Sequence, residues 1–212
     1  VKKARKALMD AAKRMVADGL THGASGNVSV RLKHGFLVTP SGLPYAQMKA
    51  KDLVEVRWDG SVPKGQRAPS SEWQMHRDVY AQRQDVSAIF HLHSMFATTL
   101  SCLRKPIPAV HYMIAVANTS VVRCADYATF GTYELSAAAV AALHESKACL
   151  LANHGLLAVG TSLADAYRVA TEIENLAEQY WRALQAGAPV ILDDAEMARV
   201  LEKFKTYGQP KR

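Results

Sequence analysis

Apolar residues recur along this chain with two periods, and the points where one period yields to the other mark out helices and strands. Ala4, Leu8, Ala11, Ala12, Met15 and Val16 fall at helical spacing, and Gly19 ends that first helix. Residues 27–32 and 35–38 read as two short strands joined like a hairpin at Lys33-His34. A third strand is expected over 53–58, closed by Asp59-Gly60. Two prolines and a glycine make 62–69 a loop, and a helix is expected over 71–82. Residues 86–94 read as a strand, followed by a helix through Leu100. A further helix covers 132–145, and strands at 148–151 and 156–159 flank a tight Asn153-His154-Gly155 turn. The longest helix is expected over 162–186. Ser162 and Asp165 form a capping-box pattern at its start, and Ala166, Ala170, Ile173, Ala177, Tyr180 and Leu184 share one face. Gly187 and Pro189 stop it. No internal repeat interrupts this order. The expected fold is α/β: a single domain over residues 1–212, with a central mixed, largely antiparallel sheet and helices on both faces. The last ten or so residues are expected to be mobile.

Composition narrows the picture. A chain of 212 residues with 49% hydrophobic and 21% charged residues can fill one core and is globular rather than disordered. No apolar run approaches the ~20 residues that span a bilayer. The basic stretch Val1-Lys2-Lys3-Ala4-Arg5-Lys6 lacks a following apolar core and does not read as a secretory signal. Cys102, Cys124 and Cys149 are odd in number and widely spaced, which reads as reduced thiols in a cytoplasmic protein. The net charge of +7 is spread along the chain rather than gathered with aromatics. It therefore points to a general attraction for anionic substrates or to a merely solvated surface, and neither nucleic acid nor membrane is an expected partner.

Candidate chemistry sits at strand and helix ends. In His91-Leu92-His93 the imidazoles are two apart, so on a strand they project from one face, the face that Ile89 also marks. Two such residues are equally well read as a partly buried, hydrogen-bonded pair. His154 adds a third imidazole where an apolar strand stops at His-Gly, which fits a three-His site with an open coordination position. Neutral imidazoles suit Zn²⁺ best, with Mn²⁺, Fe²⁺ or Co²⁺ as substitutes. Pro69-Ser70-Ser71-Glu72 opens a helix; its plainer reading is an N-cap with an acidic first turn. The same amides and hydroxyls can bind a phosphate, with Glu72 beside it as a proton carrier. Ser25-Gly26-Asn27 and Thr39-Pro40-Ser41-Gly42 supply two more small-hydroxyl and glycine turns of the kind that cradle phosphate. His22, His34, His76 and His144 show no partner pattern and are expected to be exposed or structural; packing or interface hydrogen bonding accounts for His111.

These motifs, in this order, resemble the class II aldolase/adducin family over residues 5–207. The likeness rests on Gly23-Ala24-Ser25-Gly26-Asn27-Val28-Ser29, Thr-Pro-Ser-Gly, Ser-Ser-Glu, His-x-His and Asn-His-Gly. His111-Tyr112-Met113-Ile114-Ala115, Tyr127-Ala128-Thr129-Phe130-Gly131-Thr132 and the segment 201–208 strengthen it toward the branch that cleaves L-fuculose 1-phosphate. The resemblance implies zinc on His91, His93 and His154, with Glu72 as the catalytic acid/base. It implies a phosphate cradle of Ser25, Gly26, Asn27, Ser41, Gly42, Ser70 and Ser71. Tyr112 would act from a neighbouring subunit of a homotetramer, and Phe130, Phe204 and Tyr207 would shape an aldehyde pocket. The implied reaction is reversible cleavage of a deoxy-ketose 1-phosphate into dihydroxyacetone phosphate and an aldehyde. L-fuculose 1-phosphate, 5-deoxyribulose 1-phosphate and 5-methylthioribulose 1-phosphate all fit. Rival readings are a sugar-phosphate 4-epimerase, a methylthioribulose-1-phosphate dehydratase and a non-enzymatic module like the adducin head. The chain departs from the branch pattern at Ala152-Asn153 and at Val116-Ala117-Asn118-Thr119.

Overall fold

Residues 2–206 are described by a computed structural model. The chain runs α1 (Lys2–Ala17), β1 (Asn27–Leu32), β2 (Gly35–Val38), β3 (Val54–Arg57), α2 (Trp73–Gln82), β4 (Ala88–Leu92) and α3 (Met95–Cys102). It continues with β5 (Cys124–Ala125), α4 (Tyr133–Leu143), β6 (Ala148–Leu151), β7 (Gly155–Gly160), α5 (Leu163–Ala186) and α6 (Asp194–Phe204). The strands form one mixed sheet in the order β3-β2-β1-β4-β7-β6-β5. Every pairing is antiparallel except β5 with β6.

Helices cover both faces, as the alternation along the strands requires. On one face Phe90 and Leu92 of β4 pack with Leu8 and Met15 of α1, Leu100 of α3, Ile173 of α5 and Met197 of α6. On the other, Ile89 of β4 and Leu157 of β7 pack with Met75 and Val79 of α2 and Ala139 of α4. Each such aliphatic or aromatic side chain, fully buried, contributes about 1.5–3 kcal/mol. Because side chains alternate, His91 must share the face of Ile89, and it does so with no exposed surface.

Two elements were not foreseen. The two residues of β5 are too few to carry a period. α6 has the signals of a helix: Asp193 caps it by accepting from the Glu196 amide at 2.7 Å, and Met197, Val200, Leu201 and Phe204 recur at helical spacing. The start of α5 is only half the expected box. Ser162 Oγ accepts from the Asp165 amide at 3.1 Å, but the Asp165 carboxylate accepts from Thr161 rather than from Ser162. Tyr207 and the tail expected to be mobile from about residue 203 onward lie, for residues 207–212, outside the described residues.

Candidate metal centre

Three strand ends meet at one edge of the sheet. Asn27 at the start of β1 pairs with His91 near the end of β4, and His91 pairs with Leu157 of β7. The turn from β6 to β7 carries His154 back to the same edge, with Asn153 in the left-handed region at φ 52°. His93 follows β4 directly. Its position is fixed from behind by Glu174 of α5, whose carboxylate accepts from Ser94 Oγ (2.6 Å) and from the amides of Phe96 (2.8 Å) and Ala97 (2.9 Å). A carboxylate on the free amides of α3 is favourable for the helix dipole, and it anchors the residue after His93.

The three imidazoles converge through their Nε2 atoms. His91 Nε2 lies 3.1 Å from that of His93 and 3.2 Å from that of His154. Three ligand atoms from these residues fall within 4.8 Å of one another, so the group can hold a metal ion. A tetrahedral zinc with bonds near 2.0–2.1 Å would set its nitrogens roughly 3.3 Å apart, which this spacing matches. The Nδ1 of His91 is 3.1 Å from the Leu156 carbonyl oxygen, so Nδ1 carries the proton and Nε2 presents its lone pair. Burial, and then the neighbouring imidazoles, push His93 and His154 down to about 4, so both are neutral ligands at neutral pH.

Glu72 closes the fourth side. It is 7% exposed, with Oε2 at 3.2 Å from His91 Nε2 and Oε1 at 3.2 Å from His154 Nε2. Burial alone would raise its carboxyl, but the contacts with His91, His154 and Asn27 outweigh burial and hold it below the usual carboxylate range. Its Oε1 is buried with no hydrogen-bond partner. An orphaned anionic oxygen at the convergence of three lone pairs is costly unless a cation occupies the centre, so the donor set fits a divalent metal. α2 begins at Trp73 rather than residue 71. Glu72 sits at its N-cap position without capping it, which frees the carboxylate to turn into the site.

Glycines let these backbones approach. A Cβ on Gly155 would stand 2.2 Å from the Leu92 carbonyl oxygen and 3.1 Å from His93 Cδ2, and one on Gly26 (φ +70°) 2.5 Å from the His91 carbonyl oxygen. Gly155→Ala is therefore expected to push the end of β4 aside, costing about 1–3 kcal/mol of stability and lowering bound metal. A thermal melt with metal analysis checks this; an unchanged melting temperature with full metal would contradict it.

A cleft of about 340 Å³ opens onto the centre. Its walls include Ser25, Gly26, Asn27, Ser41, Gly42, Ser70 and Ser71, together with Glu72, His93, His154 and Phe130. The three small-residue turns, distant in sequence, thus line one space. Several of their members are already engaged; the Ser41 amide donates to the Ala68 carbonyl (3.1 Å) and the Ser70 amide to the Thr39 carbonyl (3.0 Å). The hydroxyl and amide of Ser25 both donate to the His22 carbonyl (2.8 and 3.0 Å), and Asn27 Nδ2 donates to Glu72 Oε2 at 2.9 Å. Tyr127, Ala128 and Asn153, absent from the expected site, also line the cleft. Tyr112 does not. It is 46% exposed, stacks on His111 and stands with its ring centroid 6.5 Å from that of Phe204. His111 caps the short turn after it by accepting from the Met113 amide at 3.2 Å. His76, expected to be merely exposed or structural, is fully buried and bonded to Asn27; its position four residues after Glu72, one helical turn, was the available signal.

Comparison with known proteins decides what this assembly belongs to. Residues 6–181 match the Class II Aldolase and Adducin N-terminal domain. The chain is a member of the class II aldolase/adducin family. Over 204 residues it is 52% identical to the 5-methylthioribulose-1-phosphate/5-deoxyribulose-1-phosphate aldolase of Rhodospirillum rubrum, covering 96% of this chain and 92% of that one. It is 45% identical over 202 residues to the L-fuculose phosphate aldolase of Escherichia coli strain K12, covering 95% and 94%. A solved L-fuculose 1-phosphate aldolase superposes with a TM-score of 0.93 at 44% identity, covering 96% of each chain. As a member of this family with aldolase relatives over nearly its whole length, the chain is a class II aldolase, a carbon–carbon lyase. The expected architecture is that of the family fold. No helix among the described residues is long and apolar enough to cross a membrane.

Proposed function

We propose that the chain is a Zn²⁺-dependent aldolase that reversibly cleaves a deoxy-ketose 1-phosphate into dihydroxyacetone phosphate and an aldehyde. The observation that carries this reading is the buried Glu72 carboxylate, its Oε1 without a hydrogen bond, facing three converging imidazoles at the floor of a cleft. His91, His93 and His154 would hold the metal, and Mn²⁺, Co²⁺ or Fe²⁺ are compatible with the same donors. Such a cation, when bound, supplies Lewis acidity where negative charge develops on the ketone oxygen.

The chain's own groups do the rest. In cleavage the C4 hydroxyl loses its proton, the C3–C4 bond breaks, and its electron pair stays with C3. Glu72 delivers a proton to C3, which completes dihydroxyacetone phosphate; in synthesis it removes that proton. The proton lost at the C4 hydroxyl balances the one gained at C3. No lysine or arginine lines the cleft among the described residues, so the hydroxyls of Ser41, Ser70 and Ser71 and the backbone amides of Gly42 and Ser71 would hold the phosphate, with Ser25, Gly26 and Asn27 at its edge. The aldehyde would lie against Phe130, which is 65% exposed in the single chain and needs a neighbour to enclose it. Exposed Tyr112 supports a cyclic homotetramer in which it protonates the aldehyde oxygen of an adjacent subunit's site; Phe204 and Tyr207, the latter outside the described residues, are proposed to shape the aldehyde pocket. The chain acts as one domain over residues 1–212. Three free cysteines support a cytoplasmic setting.

The apolar cleft wall of Tyr127, Ala128 and Phe130, and the 52% identity to the methylthioribulose/deoxyribulose enzyme, favour a substrate ending in a methyl or methylthio group. The 45% identity to the fuculose enzyme supports L-fuculose 1-phosphate as the second reading. A coupled assay for dihydroxyacetone phosphate on all three ketose phosphates tests this. Release from none of them by metal-loaded protein would contradict it. Formation of an epimer or loss of water without triose phosphate would assign the chain to a different reaction.

A further inference from the structure

Beneath the centre lies a line of buried polar groups that connects Glu72 to the interior of the sheet. Helix α2 places Glu72, His76 and Tyr80 four residues apart along one face, and β1 places Asn27 and Ser29 two apart on the face turned toward it. Four helical residues rise about 6.0 Å and two strand residues about 6.7 Å, so the two rows stay in step. Tyr80 Oη is 2.7 Å from Ser29 Oγ, and Ser29 Oγ is 2.6 Å from His76 Nδ1. His76 Nε2 is 2.5 Å from Asn27 Oδ1, and Asn27 Nδ2 is 2.9 Å from Glu72 Oε2. All five residues are buried; His76, Ser29 and Tyr80 have no exposed surface.

The carboxylate at one end sets the direction of every bond. An ionised Glu72 only accepts, so Asn27 turns its amide N–H₂ to it and its Oδ1 back toward His76. His76 must then carry its proton on Nε2 and accept on Nδ1. Burial, chiefly, keeps this imidazole neutral, pushing it down to about 3. Ser29 therefore donates to Nδ1 and accepts from the Tyr80 hydroxyl. Hydrogen bonds aligned in one sense polarise one another, and this line ends as a donation into Oε2.

We propose that His76 is a positioning residue, holding Glu72 by Oε2 through Asn27 so that Oε1 is the oxygen that carries the proton. This rests on the reading of Glu72 as the proton carrier. Both oxygens border the metal centre, Oε2 at 3.2 Å from His91 Nε2 and Oε1 at 3.2 Å from His154 Nε2, but only Oε2 is tethered by a hydrogen bond, from Asn27. A carboxylate freed to rotate would offer either oxygen to C3 and hold neither in line.

The test uses the metal-loaded protein with dihydroxyacetone phosphate in D₂O and no aldehyde, so that exchange of the C3 hydron reads Glu72 alone. His76→Leu is expected to lower the exchange kcat about 10- to 100-fold, with KM within about twofold and metal content unchanged. His76→Gln, whose amide N–H can replace Nε2–H, is expected to stay within about threefold of wild type. Exchange by His76→Leu at the wild-type rate would overturn the proposal, and so would an equal loss in both variants, which marks a packing role. Should His76→Leu fail to fold, His76→Phe, close to the imidazole in shape but unable to donate or accept, carries the same expectation and the same refutation. A wild-type protein that exchanges no hydron, or a Glu72→Gln variant that exchanges as fast as wild type, would instead sink the Glu72 reading and this inference with it.

Discussion

Glu72→Gln is expected to lower kcat for aldol cleavage by about 10²- to 10⁴-fold, the range that a positioned acid/base contributes, while zinc remains bound. Glutamine keeps the shape of the side chain, and the three imidazoles that hold the metal are untouched. What disappears is the capacity to take and give a proton at the oxygen facing His154. The substitution also gives Asn27 Nδ2 a neutral amide oxygen as its acceptor in place of a carboxylate oxygen. Kinetics with metal analysis separates two causes. A large fall in kcat with one metal per chain is the expected result. A loss of metal or of the folded state in step with activity would make Glu72 a structural member of the site.

His93→Ala is expected to abolish activity by a different route, through the metal. Loss of one nitrogen from three leaves a two-ligand site, and removal of even an outer partner of a ligand costs 10- to 100-fold, so loss of a ligand should exceed about 100-fold. Of the three imidazoles His93 gives the cleanest experiment. His91 is fully buried in the sheet, and its removal would open a cavity as well as the coordination shell. His93 is partly exposed beyond the end of β4, so the variant should fold with little change in stability. The check is metal content after dialysis together with circular dichroism. A variant with full metal and full activity would remove His93 from the ligand set.

The same contrast explains what could be read from the residues alone. The sheet and its helices were legible because burial is periodic: β4 alternates between two cores, and α5 carries one apolar face for its whole length. His91 and His93 were legible because strand geometry makes positions two apart neighbours. The order of motifs around them matched a family pattern. The roles of Asn27 and His76 were not legible in this way. Asn27 lies in a Ser-Gly-Asn turn that suggested phosphate, yet its amide is held between His76 and Glu72, residues 49 and 45 positions away in sequence. Only the packing of α2 across β1 brings them together. Tyr112 and Phe204 show the complementary limit: they meet each other away from the cleft that opens onto the imidazoles. α6 is announced by Asp193 and by the spacing of Met197, Val200 and Phe204, a period that the family likeness of 201–208 covers only at its end.

Aldol cleavage by this chain is proposed to depend on a metal held by His91, His93 and His154. The most direct test of this dependence is release of dihydroxyacetone phosphate from the three candidate ketose phosphates before chelation, after chelation, and after zinc is restored. The expected result is one metal per chain, activity lost with the metal, and activity recovered when it returns. Undiminished cleavage by protein shown to be metal-free would contradict it.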